Sequence, residues 1–378
     1  MLSAPTETYD RLWSPVLETL RADALDCVQA NLAAVADRHN GSGAHLALGS
    51  ALRFETEPGQ DGAPQVASSV PYRLAAAHDL LGLRVAKRFD DVDGAALREL
   101  VGEHGPLYVI ADAHTLAWTP YAGQQHTEHT FLLSASDTVV DAYHDETPWG
   151  SCRPSVWRLS PTDFDAMVPS ATVLLLATEP VTARPGALAD NARALADAVP
   201  DIDAYLAANR GSDQLVLDVW LLGRSRLLHA AWLGGNAEAD AHAGAWLALA
   251  SQTYVAWRRA KRTGALPATV LDELARLLHE DVAMAGRLAA AEPVAAADDD
   301  LVRATVLAAI EDVLRLDESI VLAARTLRDL PNFNSFRLVD IIERVESQLN
   351  VELDADDLTP QALRDTDSLC AAFARRSA

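Results

Sequence analysis

His126-Thr127-Glu128-His129-Thr130-Phe131-Leu132-Leu133 runs on through Ser136-Asp137 to Val139-Val140-Asp141-Ala142. Two apolar runs flank a two-residue polar step, which is the signature of a β-hairpin. Such a hairpin sets His129 beside Asp141, a carboxylate that can orient the imidazole. Strand parity favours His129 as the base. His126 then faces substrate or supports the site from behind, although it remains an alternative base.

Toward the N-terminus, Leu25-Asp26-Cys27-Val28-Gln29-Ala30-Asn31-Leu32 puts a cysteine near the start of a helix. The first turn of a helix favours negative charge, and its free N–H groups can hold an oxyanion. Cys27, His129 and Asp141 therefore offer a nucleophile, a base that later acts as acid, and an orienting carboxylate. The competing reading of Cys27 is a small core residue. Among the neighbours, Asp112 reads as a pocket residue or a strand-end turn. Glu128 reads as a steering charge for an amine. Trp118, Tyr121 and Trp149 read as pocket lining or core. His144, Asp145 and Cys152 have no partner visible in the sequence, and Asp90, Asp91 and Asp93 read as a solvated face.

Around this centre the patterning is mixed. Helices are expected at 15–22 and 26–38, and strands at 45–54, 107–111, 130–134, 138–142 and 173–177. The character changes near 180–185. Long amphipathic helices follow at 186–207, 212–232, 237–263 and 267–290. Residues 289–300 are alanine-rich and end in Asp298-Asp299-Asp300, which reads as a linker. As a flexible coil of about twelve residues it would span roughly 20 Å.

Beyond it lies Thr326-Leu327-Arg328-Asp329-Leu330-Pro331-Asn332-Phe333-Asn334-Ser335-Phe336. This loop delivers one serine to the start of a helix over 336–349. Leu338, Ile341, Ile342, Val345 and Leu349 form the buried stripe of that helix, with Asp340, Glu343, Arg344 and Glu346 between them. Helices at 301–314, 359–363 and 368–375 complete the pattern, with Asp367 or Ser368 as an N-cap for the last.

Composition limits the partners. The chain has 378 residues, 49% of them hydrophobic, which suffices for two or three domains. A net charge of −23 and a pI near 4.7 argue against nucleic acid and against an anionic membrane surface. No apolar run reaches the ~18–20 residues of a spanning helix. Met1-Leu2-Ser3-Ala4-Pro5 does not open a signal peptide. Three cysteines without metal-ligand spacing point to a reducing cytoplasm rather than a disulfide framework. No Gly-x-x-x-x-Gly-Lys-Ser/Thr run is present, so nothing in the chain resembles a P-loop ATP site.

The C-terminal stretch resembles an acyl or peptidyl carrier protein domain. Supporting matches are Asp356-Asp357-Leu358 and Asp365-Thr366-Asp367-Ser368-Leu369. The resemblance implies a 4'-phosphopantetheine arm, covalently attached to Ser335 by a phosphopantetheinyl transferase. Carriers usually have aspartate before that serine, and here it is Asn334. The front resembles the butirosin-biosynthesis acyltransferase family, whose N-terminal domain is papain-like. The residues that carry this likeness are Asp26-Cys27, Leu48-Gly49-Ser50-Ala51-Leu52-Arg53-Phe54, Gly105-Pro106-Leu107-Tyr108-Val109-Ile110-Ala111-Asp112, His126-x-x-His129 and Val140-Asp141. Family members often have histidine where this chain has Asp26. The likeness implies Cys27 as nucleophile, His129 as base and Asp141 as orienter.

The expected architecture is an α+β papain-like domain (1–180), a helical portion packed on it (181–290), a linker (291–300) and a four-helix carrier domain (301–378). The expected activity is acyl or aminoacyl transfer in specialised metabolism. A carrier thioester passes its acyl group to the cysteine and then to a small-molecule amine or hydroxyl. An adenylating or other acyl-loading enzyme is the further partner, and a homodimer is left open. Two alternatives stand beside it: a thioesterase or cyclase using the same residues, and an inactive docking platform for the carrier.

Overall fold

The computed structural model describes residues 5–59, 62–181, 186–263, 267–291, 295–324, 326–349, 351, 353–354, 358–359 and 362–377. Met1 to Ala4, most of the stretch where the character changes, Asp356-Asp357 and the middle of the expected 359–363 helix lie outside these residues. The chain is α+β, 58% helical, and divides into two compact units, 1–286 and 287–378.

The strands of the first unit are β1 (Thr6–Thr8), β2 (Thr56–Pro58), β3 (Pro64–Val66), β4 (Leu83–Val92), β5 (Leu107–Asp112), β6 (Glu128–Ala135), β7 (Thr138–Asp141), β8 (Asp145–Thr147), β9 (Gly150–Cys152), β10 (Ser155–Arg158) and β11 (Ala171–Thr178). Seven of them form one antiparallel sheet in the order β1-β10-β7-β6-β5-β11-β4. The expected hairpin is present: Ala135 pairs with Thr138 across Ser136-Asp137, and Leu132 faces Val140.

Helices α1 (Ser14–Thr19), α2 (Cys27–Asn40) and α3 (Val70–Leu81) cover one face of the sheet, packing on Tyr108, Ile110, Leu132, Val140 and Leu174. Helices α4 (Gly94–His104) and α5 (Pro161–Met167) cover the other, on Val109, Phe131, Leu133, Val139 and Val173. With both faces covered, β5 is buried along almost its whole length, so its apolar run does not alternate.

The α2 helix begins where the sequence places it. The Asp26 carboxylate accepts from Gln29 N–H while the Gln29 side chain accepts from Asp26 N–H, a reciprocal capping box. Ala30, Ala33, Ala34 and Ala36 are buried and let the helix lie close to the sheet.

Three expectations for this unit fail, two of them ahead of its helical part. Residues 45–54 are not a strand, because Ala44–Ser50 forms a 3₁₀ turn. The buried Asp37 carboxylate explains this: it accepts from Gly43 N–H and His45 N–H and pairs with His45 Nδ1 at 2.8 Å. Those local bonds take backbone donors that a strand ladder would need. The second is β4, where no strand was expected. It is an edge strand studded with Arg84, Lys87, Arg88 and Asp90, which hide the apolar alternation. Asp90 lies on it with Arg88 and Thr172, whereas Asp93 caps α4 through Ala96 N–H.

The rest of the unit is helical: α6 (Ala187–Asp197), α7 (Val199–Ala208), α8 (Leu215–Leu233), α9 (Ala237–Thr263) and α10 (Ala268–Ala291) up to Gly286. The expected 186–207 helix is two helices, with Pro200 in the first turn of the second. Helix α8 lies against the 3₁₀ turn so closely that a Cβ on Gly49 would sit 2.4 Å from Leu228 O. Between α8, α9 and α10 lies a buried polar knot. Asp281 accepts from Arg226 at 2.5 Å and from Trp246 Nε1 at 3.1 Å, and pairs with His242 Nε2 at 2.6 Å.

The second unit holds α11 (Ala295–Leu314), α12 (Glu318–Ala323), α13 (Ser335–Leu349) and α14 (Thr366–Ser377). Its core joins Val306 and Ile310 to Ile341, Ile342 and Val345 of the expected stripe, and to Leu369 and Phe373. The described residues of 289–300 are helical rather than coil: α10 runs to Ala291 and α11 starts at Ala295. Alanine is the best helix former, so an alanine-rich composition does not by itself mark a flexible linker. The cap of α14 is Asp365, which accepts from Ser368 N–H at 2.8 Å, and not Asp367 or Ser368.

Candidate active site

Cys27 is the first residue of α2 and is half-buried. At that position the N–H groups of the first turn have no helical carbonyl partner. Its carbonyl is gripped by Thr130 Oγ1 at 2.6 Å and by Asn31 Nδ2 at 3.2 Å. Asn31 also donates to Thr130 O and accepts from Ala142 N–H. One buried asparagine thus ties the start of α2 to β6 and to the residue after Asp141. Tyr108 OH adds a bond to Val28 O at 3.0 Å. In front of the cysteine, Asp26 pairs with Arg73 of α3 at 2.7 Å.

His129 and Asp141 are both buried, and His129 Nε2 lies 2.7 Å from Asp141 Oδ2. In the sheet register His129 sits opposite Ala111 of β5, and Asp141 opposite Ser155 of β10. The same carboxylate oxygen accepts from Trp118 Nε1 at 3.1 Å, and the other from Tyr143 N–H at 3.0 Å. Tyr143 packs edge-on against the imidazole, with ring centroids 5.5 Å apart.

Burial alone would lower the His129 pKa. The charge and hydrogen bond of Asp141 outweigh it, helped by a hydrogen bond with the Cys27 side chain, and the imidazole is pushed up to about 10. At neutral pH the ring is therefore an imidazolium, held between the Asp141 carboxylate and the Cys27 sulfur.

His126 does not join them. It is exposed, pairs with Asp112 at 2.5 Å and stacks on His114 at 4.0 Å. Asp112 is a strand-end residue that also accepts from His114 N–H at 3.0 Å. Glu128 is exposed at the start of β6. Trp118 is bound to Asp141, while Tyr121 and Trp149 meet edge to face.

Other neighbours were not legible in the sequence. Asp145 accepts from Tyr143 OH at 3.0 Å and from Trp220 Nε1 and Arg224 at 3.3 Å each. Cys152 is buried, and its thiol is pushed well above the ordinary range by burial and then by the charges of Asp141, Asp145 and Cys27. It stays a neutral thiol, so it does not compete with Cys27 as nucleophile. The one signal for the α8 contributors is the i, i+4 spacing of Trp220 and Arg224, which puts both on one helix face.

In the second unit, Ser335 is exposed and is the first residue of α13. Asn334 Oδ1 accepts from Phe336 N–H and Arg337 N–H at 3.0 Å each, which caps the helix. Phe336 is 85% exposed. The asparagine thus caps α13 and leaves Ser335 exposed at its start.

No group of three or more His, Cys, Asp or Glu among the described residues could hold a metal ion, and no helix among them is long and apolar enough to cross a membrane. The chain matches no protein-family model, and no curated protein matches it significantly.

Proposed function

We propose that the chain is a cysteine-dependent acyltransferase whose first unit is papain-like and whose second unit is the carrier of its thioester donor. The observation that carries this reading is the buried His129–Asp141 pair, whose imidazole also feels the Cys27 thiol. Supporting it is Ser335, exposed at the capped start of an amphipathic helix. A 4'-phosphopantetheine arm on Ser335 would supply the acyl group as a thioester. A phosphopantetheinyl transferase and an acyl-loading enzyme are the implied partners, and the cytoplasm the implied compartment.

The imidazolium at position 129 stabilises negative charge on Cys27 Sγ, which attacks the carbonyl of the thioester donor. The N–H groups at the start of α2 receive the developing oxyanion. The donor C–S bond breaks, and the leaving thiolate takes the proton of His129. The acyl group is now a thioester of Cys27, an exchange between like bonds. Neutral His129 then accepts a proton from an amine or hydroxyl acceptor as that group attacks. Cys27 leaves as thiolate, and amide or ester is released. Asp141 holds the ring in the productive orientation throughout.

The test is intact-protein mass after co-expression with a broad phosphopantetheinyl transferase, followed by acyl loading. Wild type should gain one phosphopantetheine, and Ser335→Ala none. The loaded acyl group should persist on Cys27→Ala and turn over on wild type when amines are supplied. Equal turnover in Cys27→Ala would overturn the reading and leave the first unit as a docking platform.

A further inference from the structure

Arg224 of α8 is nearly buried, and its guanidinium reaches out of the helical part of the unit into the candidate site. Nη1 donates to Ala22 O at 3.0 Å and to Leu25 O at 2.5 Å, on the segment that enters Cys27. Nη2 donates to His144 O at 2.7 Å and to Asp145 Oδ1 at 3.3 Å, on the segment that leaves Asp141. The guanidinium carbon Cζ lies over the Trp220 ring, 4.1 Å from its centroid. Asp145, held in this way, anchors Tyr143 OH, and Tyr143 in turn touches both the Asp141 carboxylate and the His129 ring.

We propose that Arg224 is a positioning residue for the chemistry at Cys27. It fixes the separation between the strand-end carrying the carboxylate and the segment that leads into the nucleophile. This rests on the acyl-transfer reading of Cys27, His129 and Asp141. The residue type suits the task. A guanidinium stays charged at every working pH, and its rigid fork can serve two segments at once. A lysine offers one point of attachment in its place. The helical part of the unit is thereby a component of the site, although none of its side chains is assigned a step in the reaction.

The experiment needs no substrate. Full-length wild type, Arg224→Gln, Arg224→Lys and His129→Ala are treated with iodoacetamide across pH 5 to 10. Alkylation of each cysteine is followed by peptide mass. Buried Cys152 reports whether the fold is intact. Both Arg224 variants should alkylate Cys27 at least about tenfold more slowly at neutral pH, since an ångström of misplacement is worth on the order of 10²-fold in reactivity. Their pH profiles should move toward that of His129→Ala, while Cys152 stays protected. Wild-type rates and profile at Cys27, with Cys152 protected, would overturn the proposal. If Arg224→Gln exposes Cys152, Arg224→Lys decides by the same criteria. Exposure in both variants would make Arg224 a folding residue and also overturn it. Failure of the underlying reading looks different: His129→Ala would then leave Cys27 at wild-type reactivity.

Discussion

His129 holds its charge against its own burial, and this makes it testable by pH. Its pKa is raised from 6.5 to about 10 in the folded chain. A raised histidine contributes stability that is fully present below about pH 6.5 and is lost as pH rises through about 10. The melting temperature of the first unit should therefore fall between pH 7 and 10, and calorimetry should show that fall blunted in Asp141→Asn. The same substitution should reduce turnover by a factor on the order of 10⁴, as removal of an orienting carboxylate does in comparable triads. Single-turnover kinetics of a loaded donor would measure it, and a loss under tenfold would count against Asp141 as orienter. Cys27, His129 and Asp141 were legible because helix start, strand parity and turn length act locally. Arg224, Tyr143 and Asp145 were not. Their meeting depends on how α8 packs, with Arg224 80 residues along the chain from His144 and 199 from Leu25.

Local chemistry also decides the elements. Where the sequence shows period and cap together, as at α2 and α13, the helix begins at the expected residue or one away from it. Where a buried carboxylate recruits backbone donors, as Asp37 does, an apolar run becomes a turn. Edge strand β4 escapes notice because most of its residues are exposed or half-buried and its charges break the apolar alternation. The cap of α13 gives a direct prediction. Asn334→Ala removes the acceptor of two N–H groups and should cost the second unit about 1 kcal/mol in urea denaturation. Asn334→Asp keeps both bonds and adds a favourable charge at the helix start, so it should be stabilising by a few tenths to about 1 kcal/mol.

Across the molecule, each unit has its own core, and each core can be weakened by its own substitution. Ile341→Ala should cost about 2–5 kcal/mol, and hydrogen exchange should show the lost protection on α11, α12, α13 and α14, the helices of its cluster. In the first unit, burial would raise the Asp281 pKa, but the charges of Arg226 and His242 outweigh it and keep it below the ordinary carboxylate range. Removing one partner strands a buried charge. Arg226→Met should cost about 3–5 kcal/mol, and Arg226→Met with Asp281→Leu distinctly less, as a double-mutant cycle in urea would show.

The tight seam at Gly49 has a consequence for genetics. With Leu228 O only 2.4 Å from where a Cβ would stand, no side chain fits without moving backbone. A saturation screen scored on activity would rank Gly49 with Cys27, as though both took part in the reaction. Protein abundance would separate them. Substitutions at Gly49 should empty the cell of the protein, whereas Cys27→Ala should accumulate normally and do nothing.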